Sequence, residues 1–375
     1  MLAPLISFFS LLLAATVLQG QELQQAASPS PQTAKTKQAP AGMVFIPGGT
    51  YRRGSDHKFN QTRAEYPEES PVHEVTLDGF WIDATEVTNR QFLKFTNATG
   101  YKTQAERGWD SKDFPNAPPE QLKGGALLFK PTPRKVELFQ PGAEWQWWQF
   151  VRGANWQHPE GPSSSIASRM DHPVVCVTHE DAVAYCEWAG KRLPTEAEWE
   201  RAARGGLDDK LFSWGDEPKP GNKWQANVYQ GEFPNKNTAE DGFPGTAPVK
   251  SFPPNAYGLY DMAGNVWEWN DLDGLPGSQR GFMGGMWNST AVHQQSDSRW
   301  VEGVWNQRDN LGFRLVELDP TPPPSRGNTG VVEAGDAEGF AIEKIATIQN
   351  ELFVEDGLFV SVGNALSFST VDSQE

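Results

Sequence analysis

Three short helices, each ended by glycine, are the strongest local signals in this sequence. Thr88 with Gln91, and Thr195 with Glu198, form capping boxes that predict two helix starts. A third helix is predicted from Thr178, where apolar residues recur at helical spacing. The predicted helices stop at Gly100, Gly190 and Gly205. From there to about residue 315 the chain shows turns, aromatic residues and short apolar runs, so we expect little regular secondary structure.

Composition favours a loop-rich domain held together by aromatic packing. The 375 residues include 36 Gly, 29 Pro and 15 Trp, and only 21% are charged. Two strand signals lie near the start of the patterned region. The run MVFIPGGTYRRGS, from Met43, predicts a hairpin that turns at Gly48-Gly49, and HEVTLDGFWID, from His73, predicts one further strand.

The two ends of the chain differ from its middle. Residues 2–18 are uncharged and apolar, which predicts a signal peptide over residues 1–20; an uncleaved anchor is the alternative, but it needs about 20 apolar residues. After it the sequence predicts a disordered linker over 21–41, one domain over 42–318, and a Pro-rich spacer with a tail over 319–375. Asp356-Gly357 would suit a hairpin turn in that tail. We expect a secreted or lumenal protein: the ER lumen in a eukaryote, the periplasm or exterior in a bacterium.

Net charge limits the classes of binding partner, and the cysteine count limits the number of disulfides. A net charge of −16 and no basic stripe argue against nucleic acid, whereas some of the carboxylates would suit a hard cation such as calcium. Cys176 and Cys186 can form one disulfide at most. Glycosylation sequons begin at Asn60, Asn97 and Asn288 and matter only in a eukaryotic host.

Several long blocks closely resemble the formylglycine-generating enzymes, the sulfatase-modifying factors. They are GANWQHPEGPSSS (153–165), DHPVVCVTHEDAVAYCEWAGKRLPTEAEWERAARGG (171–206), NVYQGEFPNKNTAEDGFPGTAPV (227–249), NAYGLYDMAGNVWEW (255–269) and NLGFR (310–314). The resemblance runs from about residue 43 to 315 and implies an α+β, C-type-lectin-like fold, loop-rich and with bound calcium. The chain is closest in character to the family's non-catalytic paralogue.

The resemblance implies two calcium sites. The first set is Asn227, Val228, Asp241 and Phe243, and the second is Asp261, Gly264, Val266 and Glu268. Both combine carboxylate, amide and main-chain oxygens, which suit Ca²⁺. The plainer alternative is that these side chains are solvated turn residues that cap the backbone.

The catalytic copper-binding cysteine pair of the active relatives is missing. Aligned on Trp287, the cysteine positions are Ser289 and Gln294, and the serine of that turn is replaced by Met286. A hydroxyl and an amide are hard, weak ligands that cannot replace thiolates on Cu(I), so we do not expect copper. His293 lies nearby, but an isolated histidine is more often a surface residue.

The two cysteines of this chain are not expected to replace the missing copper ligands. By resemblance Cys186 is structural, and its usual partner is Leu315 in this chain. Cys176 lies on a predicted strand. Both suit buried apolar positions, although a disulfide between them stays open.

Three functions compete. The first is a non-catalytic protein that binds peptides or proteins, such as sulfatases or an active family member, with no membrane contact after signal cleavage. The second is a formylglycine-generating oxidase that uses altered ligands. The third is a carbohydrate- or surface-recognition module with lectin-like loops and four tryptophans as stacking platforms, although core packing is their commoner role. These tryptophans are Trp145, Trp147, Trp148 and Trp156.

Overall fold

The computed structural model describes residues 39–55, 71–112, 115, 119, 122–138, 140–271, 279–289 and 295–318. The predicted signal peptide, most of the linker and the C-terminal tail with its Asp356-Gly357 turn lie outside the described residues. Within the described part of the chain, no helix is both long and apolar enough to cross a bilayer.

The three predicted helices are confirmed, and a fourth was missed. In chain order the helices are α1 (Asn89–Thr99), α2 (Gln104–Arg107), α3 (His179–Ala189) and α4 (Glu196–Arg204). Thr88, Thr178 and Thr195 each form a capping box, and left-handed Gly100, Gly190 and Gly205 end the three longer helices. Short α2 carries a similar signal, because Thr103 and Glu106 also form a capping box. Single turns of 3₁₀ helix lie at Ala143–Gln146 and Pro220–Asn222.

Thirteen short strands form small sheets in the described residues, consistent with the expected loop-rich α+β fold. The strands are β1 (Met43–Ile46), β2 (Gly49–Arg53), β3 (His73–Leu77), β4 (Phe80–Asp83), β5 (Gly125–Phe129), β6 (Trp148–Arg152), β7 (Gly231–Glu232), β8 (Lys236–Asn237), β9 (Trp267–Trp269), β10 (Gln279–Met283), β11 (Arg299–Gly303), β12 (Leu311–Gly312) and β13 (Val316–Leu318). One sheet has the order β1-β4-β13 and another β11-β10-β9-β12. The remaining pairs are β2-β3, β5-β6 and β7-β8.

The predicted hairpin at Gly48-Gly49 is wrong, and so is the single strand predicted from His73. β1 pairs with β4 and β2 pairs with β3, both antiparallel. Ile46 lies opposite Phe80, and after two residues on each side Gly49 lies opposite Leu77, so the two strand pairs share one continuous register although they belong to separate sheets. The two segments approach closely where the strand pairs meet: a Cβ on Gly48 would come within 2.8 Å of the Gly79 amide nitrogen. Glycine here permits close backbone approach rather than a hairpin turn.

Aromatic residues fill the core, as composition indicated. Trp156 lies in the largest buried cluster with Phe92, Phe313 and Cys186. Trp147 and Trp148 pack in a second aromatic cluster, whereas Trp145 keeps 52% of its surface exposed. Three of the four tryptophans considered as stacking platforms are therefore core residues.

A fully buried ion pair crosses the centre of the domain. Both Arg314 and Glu268 are at most 1% exposed, and two nitrogens of the guanidinium donate to the two carboxylate oxygens at 2.6 Å each. The Trp199 indole N–H also donates to Glu268, at 2.8 Å. Arg314 further donates to the main-chain oxygens of Asp83, Tyr260 and Asp261. The pair thus joins β9, α4 and the loops around them.

Replacing Arg314 by methionine should destabilise the fold by about 3–5 kcal/mol, because the Glu268 carboxylate would remain buried without its counter-ion. Urea unfolding followed by tryptophan fluorescence measures this loss. The control is Arg52→Met, since Arg52 pairs with Asp209 where both side chains are about half exposed; such pairs contribute at most about 1 kcal/mol. Equal losses in the two variants would contradict the central role of Arg314.

Candidate functional site

The turn at residues 284–289 is the segment that the sequence aligns with the catalytic turn of the resembling family. Gly284 and Gly285 both have positive φ, and a Cβ on Gly284 would lie 2.9 Å from the Trp199 ring. The Gly264 amide donates to the Gly284 carbonyl at 2.7 Å, and the Trp287 amide donates to the Asn265 carbonyl at 2.9 Å. Main-chain hydrogen bonds therefore hold this turn against the loop that precedes β9.

Ser289, which the resemblance aligns with the first catalytic cysteine, closes the turn with its hydroxyl. It is 3% exposed, and its hydroxyl donates to the Met286 carbonyl at 2.9 Å and accepts from the Met286 amide at 3.3 Å. Its carbonyl accepts a hydrogen bond from the Tyr229 amide. The hydroxyl is therefore committed to the backbone. Gln294 and His293 lie outside the described residues.

Met286 and two buried asparagines lie beside Ser289. The Asn310 amide nitrogen donates to the Met286 sulfur at 2.6 Å and to the Asn288 side-chain oxygen at 2.8 Å. Met286 itself packs into the largest core cluster. Asn288 is fully buried, so the folded domain does not offer this sequon for glycosylation, whereas Asn97 is exposed near the end of α1.

The first predicted calcium set comes together in a compact loop. Asp241 accepts hydrogen bonds from the main-chain amides of Val228 and Phe243, at 2.9 and 3.0 Å. Asn227 is 1% exposed, and its side-chain oxygen has no hydrogen-bond partner although its amide nitrogen donates to Gly245 and Asn265. A buried oxygen without a donor is the feature that a cation would satisfy, so these residues fit Ca²⁺. The Val228 carbonyl also accepts from the Gln230 side chain.

The second predicted set is held by a different arrangement. Asp261 is buried and accepts a hydrogen bond from the Lys250 amide at 2.8 Å. Gly264 has positive φ and Val266 is fully buried in the same loop. Glu268, however, already accepts from Arg314 and Trp199, as described above. The side chain of this set that lacks a cationic partner is therefore Asp261.

Glu86 is a further candidate for the second site, and sequence reasoning missed it. It is fully buried; one carboxylate oxygen accepts from the Asn265 side chain at 2.9 Å and the other has no partner. Burial and the neighbouring Asp261 raise the pKa of Glu86 well above its usual range, and burial raises the pKa of Asp261 to about 6. Two facing buried carboxyls fit a divalent cation. Among the described residues no cluster of three or more His, Cys, Asp or Glu side chains forms a metal site, so amide and main-chain oxygens would supply the remaining ligands.

A groove of about 510 Å³ opens between α2, the first turn of α3 and the loop after β11. Its aromatic walls are Trp109 and Trp305, and its charged rim carries Arg107, Asp110 and Glu180. A Cβ on Gly303 would overlap the Trp305 ring, so glycine there allows the indole to fold back along its own loop. The groove combines aromatic surface with charges of both signs.

Comparison with known proteins identifies the family. A family model described as the sulfatase-modifying factor enzyme 1-like domain matches residues 27–318. The chain belongs to this family. The formylglycine-generating enzyme of Mus musculus is 52% identical over 227 residues, which cover 60% of this chain and 57% of that protein. This chain therefore matches less than two thirds of the length of that relative.

Other relatives include a protein named as inactive. The inactive C-alpha-formylglycine-generating enzyme 2 of Bos taurus is 40% identical over 290 residues, which cover 75% of this chain and 89% of that protein. The structure of PvdO from Pseudomonas aeruginosa superposes with a TM-score of 0.51 at 23% identity, covering 74% of this chain and 94% of PvdO. The likeness to PvdO shows the fold alone.

Both cysteines of this sulfatase-modifying-factor domain are buried. Cys176 and Cys186 are both free, which settles the disulfide left open by the sequence. Burial raises the pKa of both thiols, and a thiol that stays protonated is a poor Cu(I) ligand. Cys186 shares its core cluster with Leu315, so apolar contact replaces the disulfide that the resemblance implies. Cys176 lies in a bend with positive φ rather than on the predicted strand, because its backbone turns towards the loop at Arg308.

Proposed function

We propose that this chain is a non-catalytic member of the sulfatase-modifying-factor family that binds a peptide segment of a partner protein, such as a sulfatase or an active family member, and modulates sulfatase maturation. The observation that supports it is the Ser289 hydroxyl, which is buried and bonded to the Met286 backbone where the active relatives have a copper-binding thiolate. An alcohol in that position stays protonated and binds Cu(I) weakly. Ser289 therefore gives copper no thiolate ligand for the redox step, while the fold around the turn is kept.

The groove beside α2 supplies a surface for such a peptide. Trp109 and Trp305 offer flat apolar area, and the Glu180 carboxylate stands exposed in the first turn of α3. Aromatic rings and carboxylates together suit a segment that carries a basic side chain. A lectin-like role has less support, because three of the four tryptophans considered for sugar stacking are buried.

We also propose that Ca²⁺ occupies two structural sites. Asn227, Asp241 and the Val228 and Phe243 carbonyls would hold one ion. Asp261, Glu86 and the Gly264 and Val266 carbonyls would hold the other, while Glu268 stays paired with Arg314. The second ion would neutralise the buried carboxylates of Glu86 and Asp261, whose desolvation otherwise costs several kcal/mol. We propose that the protein is secreted or lies in the ER lumen or periplasm, where Ca²⁺ would be available to occupy both sites.

A Cys-x-Pro-x-Arg peptide should bind this protein without being converted. Mass spectrometry after incubation with Cu(I) and oxygen should show no formylglycine in place of the peptide cysteine, because Ser289 and Gln294 cannot form the copper centre. Fluorescence anisotropy should show binding that the double variant Glu180→Gln/Trp305→Ala weakens by about tenfold or more, with exposed Asp208→Asn as the control. Robust formylglycine formation would instead establish an oxidase with altered ligands, and absence of binding would reject the peptide-binding role.

Removing calcium should lower the melting temperature, because a ligand bound only to the folded chain stabilises it by about 2.7 kcal/mol at 100 times its Kd. Elemental analysis of the purified protein should find about two Ca²⁺ per chain. Asp241→Asn should remove one ion and Glu86→Gln the other, while exposed Asp208→Asn should remove none. A melting temperature that is the same in chelator and in excess Ca²⁺ would reject the calcium sites.

A further inference from the structure

Asp309 is a buried carboxyl that neither the copper turn nor the calcium sets use. It lies just before the NLGFR block, in the loop that follows β11. One carboxyl oxygen accepts a hydrogen bond from the Phe129 amide at 3.0 Å, and the other is buried without a partner. A carboxylate in that position would have half of its charge unsatisfied, which is costly away from water.

The residue joins two parts of the domain. Its amide donates to the Leu127 carbonyl on β5, and its carbonyl accepts from the Trp287 indole N–H at 3.4 Å. Phe129 packs edge-on against Trp287, with ring centroids 5.4 Å apart. Asp309 therefore fastens the end of β5 to the turn that contains Met286 and Ser289.

The charged groups around Asp309 do little to stabilise its ionised form. The Cys176 thiol faces it and is itself held neutral by burial. Lys130 and Arg308 attract a negative charge here, but Arg308 already donates to both oxygens of Glu302 at 2.6 Å and lies 5.0 Å from the centre of the Trp148 ring. Burial is the dominant effect, and it raises the pKa of Asp309 from 3.8 to about 7.

We propose that Asp309 is a positioning residue held as the neutral acid, and that its ionisation loosens the junction between β5 and the turn at residues 284–289. The junction is then tightest in acidic surroundings. When β5 separates from the turn, water reaches the carboxyl and the proton leaves readily. Opening therefore becomes easier as pH rises, and the proposed peptide-binding function need not be correct for this to hold.

The pH range follows from proton linkage. The closed form retains a proton up to about pH 7, whereas the opened form releases it near 3.8, the ordinary value for aspartate. Stability of the junction is fully present below about pH 4, is lost between about pH 4 and 7, and changes little above. Within that window the opening constant should rise by up to about tenfold per pH unit.

Amide hydrogen exchange at Phe129 in the full-length protein tests the proposal directly, because this N–H donates to Asp309. After correction for the intrinsic exchange rate, protection should fall between pH 5 and 7 in the wild type and stay level above pH 7. Asp309→Asn mimics the neutral acid in shape and cannot ionise, so its Phe129 protection should not vary with pH. The control Asp208→Asn, at an exposed position, should retain the wild-type slope.

Equal pH slopes in the wild type and Asp309→Asn would overturn the proposal. A second measurement does not depend on the variant: the carbon-13 chemical shift of the Asp309 carboxyl in the wild type should titrate near pH 7. Titration of that carboxyl below pH 5 would equally overturn it, because the group would then be ionised at neutral pH without loosening the junction.

Discussion

The Arg314–Glu268 ion pair is the interaction on which the rest of this domain depends. Three separate sequence blocks meet there: Trp199 comes from KRLPTEAEWE, Glu268 from GNVWEW and Arg314 from NLGFR. In water such a pair contributes little, but in a dry core each partner is required to offset the desolvation of the other. The same guanidinium also donates to main-chain oxygens at Tyr260 and Asp261, so the pair fixes the loop that carries the second proposed calcium set.

The turn at residues 284–289 is held in place mainly by main-chain hydrogen bonds. Backbone hydrogen bonds to Gly264, Asn265 and Tyr229 hold the turn, and none of them requires a cysteine or a metal. Met286 contributes to the core cluster and Ser289 closes the turn, so both substitutions are compatible with the packing around them. The shape of the turn therefore depends mainly on the backbone, and its side chains can vary with little effect on that shape.

Sequence reasoning succeeded where the determining interactions are local. The three longer helices begin at threonine caps and end at left-handed glycines, all of which lie within a few residues of one another. It failed where partners are distant in sequence. Gly48-Gly49 looked like a turn because its true neighbour, Gly79, is distant in sequence and lies between β3 and β4. Glu86 and Asp309 carried no motif, and only the fold shows that each is buried with an unpaired oxygen.

The continuous register of the β1–β4 and β2–β3 pairs has a consequence for how the domain folds. The register of β1 on β4 continues into that of β2 on β3. Aligning the β1–β2 segment with the β3–β4 segment therefore sets the strand pairing in two sheets at once. A slip of one residue would turn Ile46 and Phe80 out of the core and would misplace Tyr51, whose hydroxyl donates to the Ala197 carbonyl on α4. The loop-closure entropy of bringing these strands together is therefore lost once for both sheets.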